Sequence, residues 1–302
     1  MAYAPCIAIV SPSGYAPDQS AVERAIARLE ARGCRVKCFY DPAVLHQRFG
    51  ASDEARAAQL HAAARDPEVE IVLALRGGYG MSRLLPLLDI PLLARSGKRF
   101  VGHSDFTVLH MALLAHGQTV SYAGPMVCSD FGGEALSEFT MQHFWDCLSQ
   151  PTHEISMEAQ GNPRVSVTGP LWGGNLSMLC HLIGTPHFPQ MEQGILFVED
   201  INEHPYRVER LLLQLQYAGV LERQQALVLG DFSGYRLVPY DNGYDFETMV
   251  NYLRERLSIP VVTGLPFGHI RDKVTLPVGA QATLRSTPTH LHLSMSAHPM
   301  PA

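Results

Sequence analysis

Gly102-His103-Ser104-Asp105 joins an apolar run ending in Phe100-Val101 to a second apolar run, Val108 to Leu114. A serine on so sharp a strand-to-helix turn has its hydroxyl pushed clear of the sheet, toward a ligand. The neighbouring N–H groups then lie at a helix N-terminus, where a developing negative charge is stabilised. The chemistry that fits is nucleophilic attack. The stretch lacks the last glycine of G-x-S-x-G, and a serine placed here also serves simply as a helix cap. A serine nucleophile needs a base, and the base needs an orienting acid. Fourteen histidines compete for the first role. His269 follows Gly268 after a strand-like run, whereas His103 adjoins Ser104, where neighbouring side chains diverge, and His110 and His116 fall on the following helix. Glu199 is the candidate acid because the apolar run Ile195 to Val198 ends on it, and Asp200 and Glu203 have the same claim. The turn Arg76-Gly77-Gly78-Tyr79-Gly80 matches neither G-x-G-x-x-G nor the P-loop. It serves as a phosphate cradle, a plain tight turn, or the source of an N–H for an oxyanion facing Ser104.

The elements that must hold these groups read as strands alternating with helices. Cys6 to Val10, Arg35 to Tyr40, Glu70 to Leu75, the run into Ser104 and Thr119 to Tyr122 are expected strands. Helices are expected after Asp18, after Ser52, across Leu84, Leu85 and Leu88, from the Ser104 turn to about His116, and from Glu134 to Leu148. That alternation predicts an α/β lobe with a parallel, flavodoxin- or Rossmann-like sheet covered on both faces. Ligands bind beyond the carboxyl ends of such strands, where Gly77-Gly78 and Ser104 both fall. Ser149 to Asn162 is polar and reads as irregular, which puts the boundary between an N-terminal lobe, 1–155, and a smaller mixed α/β lobe, 156–302. In the second lobe, strands are expected at Gly194 to Val198, Ala226 to Gly230 and Ile259 to Thr263, with short strands from Val274 to Met295. Helices are expected from Leu176, from Pro205 and over Phe246 to Leu257.

With 302 residues, 46% of them hydrophobic, the chain can bury a large core in two lobes. A net charge of -6 without a Lys/Arg block disfavours nucleic acid and anionic membranes as partners. The six cysteines (Cys6, Cys34, Cys38, Cys128, Cys147 and Cys180) are scattered, which fits free thiols in a reducing cytoplasm better than disulfides or zinc. His290 and His292 alternate along a strand face rather than marking a metal site. Met1 to Pro5 lacks the basic and apolar regions of a signal peptide, and no apolar run is long enough to span a bilayer.

Five motifs, Arg76-Gly77-Gly78-Tyr79-Gly80, Gly102-His103-Ser104-Asp105-Phe106-Thr107, Leu171-Trp172-Gly173-Gly174-Asn175-Leu176, Val198-Glu199-Asp200-Ile201-Asn202-Glu203 and Phe267-Gly268-His269, occur in that order. Together they resemble the motifs of the LD-carboxypeptidases, serine peptidases of bacterial murein recycling. The likeness runs from Ile7 to the region of Pro299. The resemblance implies a triad of Ser104, His269 and Glu199, with the backbone N–H groups of Gly78 and Asp105 forming the oxyanion hole. It implies release of the terminal D-alanine of a murein tetrapeptide or muropeptide, from the L-centre of meso-diaminopimelate, by a cytoplasmic homodimer that needs no metal or cofactor. Arg76, Gly77, Trp172 and Asn175 lie in these motifs and are expected to touch substrate, although Arg76 has a second reading as a salt bridge between lobes. Three other functions compete: a related immunity-type peptidase that cleaves a peptide–nucleotide antibiotic and stacks its base on an aromatic loop, an α/β-hydrolase esterase, and a non-enzymatic two-lobed receptor. The missing glycine counts against the esterase, and an intact triad against the receptor.

Overall fold

The computed structural model describes residues 3–296. Met1 and Ala2, and with them part of the leader reading, lie outside the described residues, as does the region of Pro299. The short apolar runs of the first half become β1 (Cys6–Val10), β2 (Arg35–Cys38), β3 (Ile71–Ala74), β4 (Arg99–Gly102) and β5 (Ser121–Ala123). Every residue of β1, β3 and β4 is buried, as in a sheet covered on both faces. The covering helices begin where the sequence offers caps. The Asp18 carboxylate accepts the Ser20 N–H at the start of α1 (Gln19–Ala31), and the Ser52 hydroxyl accepts that of Ala55 at the start of α2 (Asp53–Arg65). The helix expected across Leu84, Leu85 and Leu88 is instead two short ones, α3 (Met81–Leu84) and α4 (Ile90–Arg95), with a 3₁₀ turn between them. Pro86 has no N–H to continue a helix, and Pro91 fits only the first turn of the next.

The helix after Ser104, α5 (Thr107–Gly117), is buried on every side from Thr107 to Leu114. It packs against α4 on one flank and, on the other, against elements of the second lobe, which explains why its sequence is apolar all round. α6 (Glu138–Ser149) closes the other face of the first sheet with Phe144, Trp145 and Leu148.

The stretch 149–162, expected to be irregular, contains β6 (Thr152–Glu158). Its pattern of His153 and Ile155 buried between exposed Thr152, Glu154 and Ser156 is the period-2 signal of a half-buried strand, masked by its polar composition. The remaining elements are β7 (Val165–Asn175), α7 (Leu176–Leu182), β8 (Ile195–Glu199), α8 (Pro205–Tyr217), β9 (Ala226–Leu229), α9 (Phe246–Arg256), β10 (Val261–Thr263), β11 (Leu276–Val278), β12 (Gln281–Ser286) and β13 (His290–Ser296).

The first sheet has the order β2-β1-β3-β4-β5-β11, parallel throughout except for antiparallel β11. Its parallel part has the flavodoxin order, and the fold is mixed α/β, as expected. The second sheet runs β10-β9-β8-β7-β12-β13-β6. Long β7 serves both of its halves, pairing antiparallel with β12 along 165–170 and parallel with β8 along 171–175. β11 leaves the second lobe's stretch of chain to complete the first lobe's sheet. No helix of the described residues is long and apolar enough to cross a membrane.

Candidate active site

At the end of β4 the chain turns within two residues. A Cβ at Gly102 would lie 2.8 Å from the Phe106 ring, so only glycine lets Phe106 fold back there. Ser104 follows with φ 62°, in the left-handed region that costs a non-glycine residue energy and that clusters at functional sites. It opens a 3₁₀ turn, Ser104–Phe106, that runs into α5. The glycine turn meets it from the end of β3: a Cβ at Gly77 would stand 2.9 Å from Ser104 Cβ and 3.0 Å from its Oγ. Gly78 has φ 110°, a conformation open to glycine, and its N–H has no partner among the described residues.

The Asp105 side chain fastens these two turns together. Its Oδ2 accepts the Ser13 hydroxyl at 2.5 Å and the Met81 N–H at 2.9 Å, just past the glycine turn. Burial raises its pKa, against the opposing effect of those two hydrogen bonds.

The second lobe supplies a carboxylate and an imidazole. Glu199, the last residue of β8, is fully buried, and its Oε2 accepts from His269 Nδ1 at 2.8 Å. That bond places the imidazole proton on Nδ1 and leaves Nε2 as the basic nitrogen. Burial alone would lower the His269 pKa; the hydrogen bond and charge of Glu199 outweigh it, and the net shift is upward. Gly268, at φ 144°, makes the approach feasible, since a Cβ there would lie 3.2 Å from Glu199 Oε2. Asp200 turns away and accepts from the Ser177 N–H and hydroxyl, while Glu203 pairs with Arg207 at 3.7 Å.

Ser104 and His269 line one cavity of about 980 Å³, together with Arg76, Gly77, Gly78 and His103. They form no hydrogen bond to each other among the described residues. Such bonds are often long in the absence of substrate and tighten in the complex. His103 Nδ1 donates to the Gly124 carbonyl at 2.8 Å, and its ring meets that of His269 edge-on at 5.2 Å. Burial, then the charge of Lys273, keeps the His103 pKa well below the usual histidine value. Arg76 reaches the cavity from its own lobe: Nη1 donates to the Tyr15 carbonyl at 3.3 Å, and it forms no salt bridge between lobes among the described residues.

Two expected substrate contacts lie elsewhere. Trp172 is fully buried in the core of the second lobe, with Nε1 bonded to Gln224 at 2.8 Å and its ring edge-on to Phe188. Asn175 is also buried and outside the cavity lining; its Nδ2 donates to Glu199 Oε1 at 3.2 Å and to Asp200 Oδ1 at 3.0 Å. β7 and β8 are paired in register at Asn175 and Glu199, so the amide positions the carboxylate from the neighbouring strand.

Sequence reasoning missed Lys273. Its Nζ pairs with Asp130 at 2.7 Å in a buried salt bridge, and its N–H donates to Thr140 Oγ1, tying the segment after His269 to the first lobe. The only signal was a lone lysine at the head of the apolar run Val274 to Leu276. Among the described residues, no three His, Cys, Asp or Glu side chains are grouped so as to hold a metal ion.

Residues 7–124 match the family model of the LD-carboxypeptidase N-terminal domain, and residues 168–284 that of the LD-carboxypeptidase C-terminal domain. The chain belongs to the LD-carboxypeptidase family. The solved muramoyltetrapeptide carboxypeptidase of Oxalobacter formigenes is 55% identical, with a TM-score of 0.94 over 97% of this chain and 99% of its own. The murein tetrapeptide carboxypeptidase of Pseudomonas aeruginosa is 29% identical over 289 residues, covering 92% of each chain. MccF, solved in complex with glutamyl sulfamoyl guanosine, is 20% identical with a TM-score of 0.90 over 100% of this chain and 98% of its own, a likeness of fold.

Proposed function

We propose that this LD-carboxypeptidase removes the terminal D-alanine from murein tetrapeptides, cutting the bond from the L-centre of meso-diaminopimelate with a Ser104–His269–Glu199 triad. The observation that carries this reading is the His269–Glu199 hydrogen bond of 2.8 Å opening onto the same cavity as a serine held at φ 62°. The first sheet brings the proposed nucleophile at the end of β4 and the second brings the acid at the end of β8, and substrate is expected in the cavity that Ser104 and His269 share.

Ser104 Oγ attacks the scissile carbonyl as its proton passes to His269 Nε2. The N–H groups of Gly78 and Asp105 hold the oxyanion that develops, at a helix start whose dipole favours negative charge. His269 returns the proton to the departing amine of D-alanine, then takes one from the water that cleaves the acyl-enzyme. Glu199 orients the imidazole and stabilises its charged form. No step requires a metal or cofactor. In the same reading the enzyme is a cytoplasmic homodimer of murein recycling.

Cleavage of a peptide–nucleotide antibiotic needs an aromatic surface to stack a base. Among the described residues the cavity lining contains no Phe, Tyr or Trp, which favours the murein peptide. The test is Ser104→Ala, offered tetrapeptide, aminoacyl-nucleotide and a simple ester, with D-alanine release followed by mass spectrometry. The wild type should act on the tetrapeptide, and the variant should lose about 10⁴-fold or more in kcat with an unchanged melting temperature. D-alanine release at the wild-type rate by the variant would remove Ser104 from the mechanism.

A further inference from the structure

A carboxypeptidase must recognise that its scissile bond is the last one. The mark of a last bond is a carboxylate, about one residue's length beyond the reacting carbonyl. Four lysine and arginine side chains line the cavity: Arg24, Arg76, Arg271 and Lys273. Lys273 is committed to Asp130 at 2.7 Å, and Arg24 is bound to Asp18 and to the Gly132 carbonyl. Arg76 and Arg271 have no carboxylate partner among the described residues.

We propose that Arg76 binds the terminal carboxylate of the substrate and so confines cleavage to the last bond; this rests on the function proposed above. Arg76 immediately precedes Gly77, where a Cβ would stand 3.0 Å from Ser104 Oγ. Arg76 Nε stands 3.5 Å from where a Cβ of Gly14 would be, and the Gly14 N–H donates to the Gly77 carbonyl at 3.4 Å, so the guanidinium lies against the same turn that abuts the nucleophile.

The side chain is also pre-organised. It is half-buried and lies over Gly14, where a Cβ would stand 3.5 Å from Nε, and one Nη1–H is held by the Tyr15 carbonyl. The remaining N–H groups form a planar fork suited to bidentate capture of a carboxylate. Arg271 is exposed and donates at 3.4 Å to the Leu136 carbonyl, at the rim where α6 begins.

The test compares kcat/KM for the tetrapeptide and for the same peptide ending in D-alaninamide, in the wild type, Arg76→Gln, Arg76→Lys and Arg271→Gln. The wild type should prefer the free acid by about 10²-fold or more, the cost of a charge-recognition site left unpaired. Arg76→Gln should lose about 10²-fold on the acid and little on the amide, so that the preference collapses, with Arg76→Lys intermediate. Arg271→Gln should keep it. A purely structural role for Arg76 would lower both substrates alike, leaving the ratio intact, and that result overturns the proposal. So does a wild type that cleaves the amide as well as the acid, a measurement that needs no variant to fold, or a preference abolished by Arg271→Gln. Failure of the wild type on both peptides would instead sink the proposed function itself, and this inference with it.

Discussion

The raised pKa of His269 fixes the sign of a kinetic prediction. The proposed triad works only while Nε2 is unprotonated. As pH falls through the raised value, the imidazole takes a second proton and kcat/KM declines. The acid limb should therefore lie above the usual histidine pKa of about 6.5. Glu199→Gln keeps the shape but removes the charge that opposes burial, so the limb should move to lower pH. The same variant should lose about 10²–10⁴ in kcat, with KM little changed, since Glu199 lies behind the histidine. Asp200→Asn should move the limb less, because Asp200 serves the start of α7 and acts on His269 only through its charge, a smaller effect than that of Glu199. A limb that shifts in Asp200→Asn and not in Glu199→Gln would reassign the acid. At this scale the sequence was informative to a point. An apolar run ending on Glu199 singled out this stretch, but Asp200 and Glu203 lie just beyond it, and only the hydrogen bond from His269 Nδ1 to Glu199 tells the three carboxylates apart. Trp172 was misread because a tryptophan in a glycine-rich motif looks the same whether it faces a ligand or a core.

Among the elements, the alternation of strands and helices made the first sheet legible, and the turn after β4 was readable from Gly102 and the helix behind it. The break between α3 and α4 was also written in Pro86 and Pro91, but the leucines around them carried a helical period that outvoted the prolines. What no local pattern contains is the contact between two turns far apart in the chain, and Asp105 makes that contact. Asp105→Ala strands the Ser13 hydroxyl and the Met81 N–H without their acceptor, and lets the glycine turn drift from Ser104. A displacement of about 1 Å at such a site costs about 10² in rate, so kcat should fall by about that much. Asp105→Asn keeps an oxygen for both donors and should stay within about tenfold of wild type. Steady-state kinetics on the two variants separates a positioning role from a role for charge: equal losses in both would argue for charge.

At the scale of the molecule, the two lobes are fastened along the segment that follows His269. Lys273 and Asp130 are both buried, and removing one partner of such a pair is costly because the other charge is left uncompensated. Lys273→Met should lose about 3–5 kcal/mol of stability, and adding Asp130→Asn should recover part of it. Urea unfolding midpoints of the single and double variants check this, and an additive loss would deny the coupling. The sequence could not announce the pairing, because the two residues lie on different lobes and neither belongs to a motif. The strand β11 has a consequence of another kind, in the timing of synthesis. On the ribosome, β5 emerges about 150 residues before Leu276–Val278 arrive to pair with it, a wait of about 8–30 seconds at 5–20 residues per second. Through that interval Ser104 already exists while an edge of its sheet is bare, a surface open to pairing with other chains. The strand that covers the edge comes just behind His269, so protection of the nascent lobe and delivery of the imidazole to the Ser104 cavity arrive together.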